Sequence, residues 1–512
     1  MLSITKPKII KGDNNRSPKI APKRHKFVKR NVNNNYMTEK HIEKSLDYIT
    51  QLKNLDEVHL EFSDKVVYPA TVTKKDTKGY ELQFEKKTWN DELGVHKGIT
   101  LKNGDLTLVS NRLFVNSISP PVLTATINEF CSENFNSTKN LFQRLIIPTK
   151  KKIDFIFNLE SLPYVTVYKN IKSHLGFARI RLKIDNKTTI DVFHIHIKEN
   201  GEYYLFIDSL NKCSAEIFEQ YCFSILITLG FLSGQFIQDE GYFFSSHTKK
   251  YESIIQLKYS TFRNSIYSSY QPVYTNSYGF IEDKIHAKRL YETINPISLS
   301  TFEKLTDLIY GNIQFRSVLL LIIESMNSSL MVMSTGLSVA LEGLTSQICE
   351  ENEKTLAPIK SKAIAKKVRS ELNSTILPYK GYKDSNGNIV IDDDGFEILT
   401  KKINDINQLT NAAKLTKPFS VLGLNISDYD KKIISHRNDF LHGRLNLTVD
   451  SKTHPDYDNI DKKVFHISLK LYTLNCMLIL KNVGHIGKIL NYPKIHDSFC
   501  RIGISEDYCI EI

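Results

Sequence analysis

The stretch "NPISLSTFEKLTDLIYGN", Asn295 to Asn312, is where the sequence changes period. Upstream, apolar and polar residues alternate with the period of two that a half-buried strand requires; downstream, apolar residues recur at helical spacing. Proline and serines at the change punctuate the chain and start a new element. The fold class follows: an α+β multidomain chain, with a β-rich N-terminal domain followed by an all-α helical bundle.

Working upstream, "VHLEFS", "VVYPATVT", "YELQFEK", "LTLVS", "YVTVYK", "ARIRLKI", "DVFHIHIK" and "YYLFID" read as strands between about Glu57 and Ile207. A helix is expected from Ala215 to Leu232, then mixed Tyr- and Ser-rich sequence that closes the same domain. Working downstream, helical patterns run through "TFEKLTDLIYGN", Arg316 to about Lys354, "IKSKAIAKKVRSELNS", "FEILTKKINDINQLTNAAKL", the segment around residue 435, and "VFHISLKLYTLNCMLILKNVGHIGKIL". The expected organisation is a basic, disordered arm over 1–40, a β-rich regulatory or sensing domain over 41–296, a helical domain over 297–495 and a C-terminal tail over 496–512. There is no solenoid repeat.

Composition sets the class. In 512 residues, 41% hydrophobic and 24% charged, there is ample material for buried cores. The net charge of +12 is concentrated at the start, where Lys6, Lys8, Lys11, Arg16, Lys19, Lys23, Arg24, Lys26, Lys29 and Arg30 face only Asp13. Such an arm either binds polyanions by counterion release or acts as a solubilising extension. Seven cysteines without zinc-like spacing, and odd in number, point to a reducing compartment. With no secretory pattern and no apolar run as long as a membrane span, the expectation is a cytoplasmic protein that does not enter a membrane.

One short stretch carries chemistry. "SHRNDFLHG", Ser435 to Gly443, follows Ser427 and Asp430, which suit a capping box starting a helix near Asp428, with Gly443 suited to stop it. Ile433, Ile434, Phe440, Leu441 and Leu445 form its apolar stripe, and Arg437 falls inside that stripe. A buried arginine needs a partner, a cleft or an anion. His442 is five residues on, about 140° around an ideal helix, so the two side chains do not meet on one straight helix.

With these residues in view, "RNDFLHG" resembles the signature of the HEPN superfamily (higher eukaryotes and prokaryotes nucleotide-binding), particularly its Apea-like branch. The resemblance covers about Thr301 to Tyr492, with a weaker likeness in "LSVALEGL", Leu337 to Leu344. It implies a metal-independent endoribonuclease without cofactor, whose R-x4-6-H motif matches Arg437 and His442 and whose polar residue after the arginine matches Asn438. It implies a homodimer in which two motifs face one another to form one composite site, RNA (tRNA among the candidates) as substrate, and products with 2',3'-cyclic phosphate and 5'-hydroxyl ends. The β-rich half would then sense a viral trigger in antiviral abortive infection. In such a site the histidine, with an ordinary pKa near 6.5, takes a proton from the 2'-hydroxyl, and the arginine binds the scissile phosphate. Glu342 in "LSVALEGL" either approaches the site or is a solvated glutamate.

Two other readings stay open: a HEPN scaffold that binds RNA or a partner without cutting, and helical packing with no ligand, in which Arg437 pairs with an acid of its own chain. Elsewhere, His194 and His196 share a strand face as two metal ligands do, but lack a third; ordinary strand histidines are favoured. "DSNGNIVIDDDG", Asp384 to Gly395, begins like a calcium loop and then departs from it at Ile389 and Gly395. A hairpin turning at Asn386-Gly387 is favoured there. P-loop, dinucleotide, HExxH and GxSxG motifs are absent from the sequence.

Overall fold

The computed structural model describes residues 39–63, 65–75, 79–85, 95–96, 98–119, 121–149, 174–175, 179–197, 201–233, 240–261, 297–441, 460–500 and 505–512. Tyr36 to Ile512 form one compact unit. It contains a large antiparallel sheet in the N-terminal region and a set of helices in the C-terminal region, the coarse α+β architecture expected. The expected strand "YVTVYK" and the basic arm up to residue 38 lie outside the described residues.

An amphipathic helix, α1 (Glu39–Lys53), buries Ile42, Ile49 and Leu52 and precedes the strands; the sequence reading did not anticipate it. The strands of the first group are β1 (Glu57–Glu61), β2 (Val67–Lys74), β3 (Tyr80–Glu85), β4 (Val95–His96), β5 (Ile99–Asn103), β6 (Leu106–Ser110), β7 (Leu113–Ser119), β8 (Val122–Ile127) and β9 (Glu129–Ser132). Their pairings run β9-β6-β5-β1-β2-β3-β8-β7-β4, and β8 leads into β9 through Asn128. Alternation explains why these segments are strands: β3 buries Tyr80, Leu82 and Phe84 and turns Gln83 and Glu85 outward.

The second group comprises β10 (Phe142–Thr149), β11 (His174–Leu175), β12 (Arg179–Ile184), β13 (Thr188–Ile197), β14 (Tyr203–Ser209), β15 (Glu240–Ser246) and β16 (Gln256–Thr261). They extend the sheet in the order β13-β14-β10-β15-β16, and β16 joins β9. Here alternation gives way to continuous burial, because both faces are covered. One face packs on α2 (Ala215–Ser233); the other packs with the first group and α1. The β12–β13 hairpin turns at Asp185 and Asn186, both with positive φ.

A row of charges crosses four of these strands. Arg181 lies opposite Asp191, Asp191 opposite Asp208, and Asp208 opposite Arg144. Arg144 and Asp208 are fully buried and paired through two bonds of 2.7 Å, Nε to Oδ1 and Nη2 to Oδ2. Arg144 Nη1 also donates to Ser45 Oγ of α1 at 3.0 Å, and its guanidinium lies 4.0 Å from the Tyr251 ring centre. Arg181 forks onto Asp191 at 2.8 and 3.0 Å.

The helices that follow are α3 (Leu299–Gly311), α4 (Ile313–Ser325), α5 (Leu330–Glu351), α6 (Lys362–Ile376), α7 (Asp393–Asn404), α8 (Asn411–Val421), α9 (Asp428–Ser435), α10 (Arg437–Leu441), α11 (Ile460–Asn482) and α12 (Tyr492–Cys500). Ser298 caps α3 by accepting the Thr301 amide at 3.0 Å, which is why a new element starts there. The core runs on across this start. Phe302, Leu305 and Ile309 of α3 belong to the same cluster as α2 and the inner strands, Thr228 Oγ1 meets Thr306 Oγ1 at 3.0 Å, and Glu303 and Asp307 accept amides of Lys183 and Asp185.

Two expected elements change shape. The pattern from Phe396 to Leu415 forms α7 and α8 rather than one helix, because Thr410 caps α8 by accepting the Ala413 amide. After α11 the chain turns at Gly484, whose φ is +81, and Lys488–Leu490 becomes strand β17, paired with β18 (Cys509–Glu511). Within α5, Gly336 and Gly343 let α4 approach: a Cβ at 336 would lie 2.0 Å from Ser325 Oγ, and one at 343 would lie 2.7 Å from Val318 Cγ2.

Residues Ala215–Leu232 and Ile460–Asn482 are long and apolar enough to cross a membrane, yet 72% and 89% of those windows are buried inside the protein. Cys131, Cys213, Cys222, Cys349 and Cys476 are free thiols.

The turn after α11 carries an acid-sensitive group. Burial, with a smaller contribution from Lys481, pushes the His485 imidazole down from 6.5 to about 4; burial lowers His496 as well. The unfolded chain therefore binds a proton that the folded chain refuses, and stability is lost as pH falls from 6.5 through 4. The midpoint of thermal unfolding should drop over that window, and less steeply in His485→Asn. An unchanged slope in that variant would count against the assignment.

Candidate active site

The motif segment is built from the start of α9. Ser427 Oγ accepts the Asp430 amide at 3.0 Å, and the Asp430 carboxylate accepts the Ser427 amide at 2.8 Å, the capping box read from the sequence. α9 then buries Ile433 and Ile434.

The expected single helix does not continue. It ends at Ser435, His436 forms a turn, and α10 begins at Arg437. The cause is local. Ser435 Oγ donates to the Lys432 carbonyl at 2.6 Å, and the His436 amide bonds Ile433 rather than continuing the regular ladder. Arg437 thus opens a short helix instead of lying mid-stripe. Phe440, which the sequence also placed in the stripe, is buried, whereas Leu441 is 40% exposed.

α10 packs on α5, and this contact brings Arg437 to Glu342, 95 residues away in sequence. Arg437 Nη2 donates to Glu342 Oε2. The side chains are 18% and 42% exposed, so the pair is half-buried, with the carboxylate on its open side. On the same face of α5, Val332 and Val339 are exposed, seven residues apart, and Glu342 follows three residues on. An apolar row therefore leads up to the ion pair.

Of the remaining site residues, Asn438 lies in α10 with its side chain outside the described set, and His442 lies outside the described residues, as does Gly443. The structure thus joins Arg437 to Glu342. The within-chain ion pair is the arrangement that the packing reading expects.

The sequence reading missed the supports around this segment. His436 is buried and its Nδ1 donates to the Asp439 carboxylate at 3.1 Å, tying the turn to α10. Lys470 of α11, also buried, reaches Asp430 at 3.2 Å and Glu506 at 3.0 Å, so the cap of α9 is anchored to α11 and to the C-terminal segment. His466 Nε2 meets Tyr429 Oη at 3.0 Å beside it. A signal was available: Lys470 interrupts the apolar run "HISLKLYTLNCMLIL", and a lysine there calls for an acid.

The other candidates separate cleanly. His194 is buried, with Nε2 2.9 Å from Thr149 Oγ1 and its ring stacked on Tyr203; the side chain of His196 lies outside the described residues. Asp384 accepts the amides of Asn386 at 2.8 Å and Asn388 at 2.9 Å, and Gly387 has φ +83, so this loop is a hairpin turn. Those amides hold the Asp384 carboxyl below the ordinary range. Among the described residues no group of three or more His, Cys, Asp and Glu is placed to hold a metal.

No family model matches the chain, no curated protein matches its sequence and no solved structure matches its fold.

Proposed function

We propose that the protein is a metal-independent endoribonuclease of HEPN type, cutting RNA at a site built on Arg437, Asn438 and His442, and that two copies contribute to one composite site. The observation that carries this reading is the position of Arg437. It opens a short helix, partly exposed and bonded to the half-exposed Glu342 carboxylate, at the end of an exposed apolar row. A guanidinium is always charged and presents a planar fork of N–H donors, so an arginine in this position suits a phosphate. Exposed apolar residues beside a polar group suit a surface that a partner covers. In this reading Arg437 stabilises charge on the scissile phosphate and His442 takes the 2'-hydroxyl proton. The β-rich half responds to a viral trigger, RNA such as tRNA is the substrate class, and the setting is antiviral abortive infection.

A second reading has an observation in its favour: the Arg437–Glu342 pair is internal to one chain, as packing alone would arrange it. Arg437→Lys separates the two. It keeps the charge and loses the planar fork. For a nuclease, cleavage of labelled RNA should fall by roughly 10²-fold or more, the scale of removing one preorganised donor, with little change in unfolding temperature. For packing alone, wild type and variant are equally inert towards RNA. A scaffold shows salt-sensitive RNA binding and no cutting.

A further inference from the structure

Between α5 and α8 the chain projects an arm. α6 leads outward, a hairpin turns at Asn386-Gly387, and α7 returns. The base is clamped by Asn407, whose side chain accepts the Ile359 amide at 2.6 Å and donates to the Ile359 carbonyl at 3.2 Å. Asn373 donates to Asn404 at 3.2 Å and ties α6 to α7. Fifteen residues of α6 give the arm a length of about 22 Å.

This arm has almost no core of its own. From Ser361 to Thr410 only Ala365 is buried, while Ile364, Leu377, Tyr379, Ile389, Val390 and Ile398 are each at least 50% exposed. Apolar residues at this density on a well-formed helical pair mark an interaction surface.

Charge identifies the partner. The arm carries eight Lys and Arg against seven Asp and Glu, so it lacks the one-signed field that nucleic acid requires. The signs are instead separated along its length. Lys362, Lys366 and Lys367 start α6 at the base, while Asp393, Asp394 and Glu397 start α7 at the tip; Lys401 and Lys402 end α7 nearer the last turn of α6, where Asn373 meets Asn404. These positions are exposed; at the tip Lys380, 3.4 Å from Asp393, and Lys383 leave the acids in excess, and at the base Lys367 lies 3.8 Å from Glu371 with the other lysines in excess. A surface with one sign at each end is complementary to itself when turned end for end, which is the geometry of a two-fold contact.

We propose that a second copy of this chain docks on this arm, antiparallel, with the acidic tip of each copy against the basic base of the other and the exposed apolar residues between them. The experiment is sedimentation velocity on the full-length protein over a concentration series. Wild type should be a dimer. Asp393→Lys with Asp394→Lys, and separately Lys366→Glu with Lys367→Glu, should each weaken dimerisation by about 100-fold or more, since like charges then face one another. An equimolar mixture of the two variants should dimerise again, which also shows that both remain folded. Ile398→Glu, at an exposed position, should weaken dimerisation without charge reversal at either end. A wild-type monomer, a dimer unmoved by both reversals, or a mixture that stays monomeric would overturn the proposal. The readout is mass, so the outcome does not depend on whether RNA is cut.

Discussion

Asp208→Ala is expected to lower the stability of the protein by about 3–5 kcal/mol, the cost of breaking a buried ion pair by removing one partner. Arg144 would keep its charge, with both groups now 0% exposed, and lose the two 2.7 Å bonds that compensate it. Contacts such as those with Ser45 Oγ and the Tyr251 and Phe206 rings do not replace a carboxylate. The neighbouring strand offsets a part of that cost, because Asp191 lies opposite Asp208 and the substitution removes a like-charge contact while Asp191 keeps Arg181. Against the 5–15 kcal/mol of an ordinary domain this is a large loss. Urea denaturation followed by circular dichroism measures it. Replacing both partners, Arg144→Met with Asp208→Leu, should recover much of the loss, since an apolar pair leaves no buried charge. A loss below about 1 kcal/mol in Asp208→Ala would show that the row is solvated on opening and contributes little.

The fold was legible where one local rule governs a segment. β3 alternates because one side faces a core and the other faces water, and Ser298 starts α3 because its hydroxyl satisfies a free amide. It was not legible where burial is two-sided or a contact is distant. β15 is buried at every position, so its sequence "EGYFFSS" has no period to read, and its Glu240 is satisfied by Tyr259 and Lys74 from other strands. The break between α9 and α10 depends on one serine hydroxyl turning back on its own helix, which residue periodicity does not encode. In the candidate site, Arg437 was legible as an arginine needing a partner. Which partner was not, because Glu342 reaches it only through the packing of α10 on α5; the sequence left Glu342 open between site and solvent.

His442→Ala carries the largest expected effect on activity. A positioned general base contributes roughly 10²–10⁴-fold, and imidazole near its ordinary pKa is the side chain best matched to neutral pH. Cleavage should fall by that factor, while the unfolding temperature and the mass of the assembly stay as in wild type. The arm and the charge row supply the controls: loss of stability belongs to the row, and loss of dimerisation at the arm separates the copies and so the composite site, whereas His442→Ala removes chemistry with mass and stability unchanged.

The measurement that bears most directly on the whole account is cleavage of RNA by purified wild type and His442→Ala in the presence of EDTA, with the product ends identified. The expected result is cutting by wild type alone, leaving 2',3'-cyclic phosphate and 5'-hydroxyl ends. Cutting that survives in His442→Ala, or cutting that requires a divalent metal, would contradict the account and remove the motif as its active site.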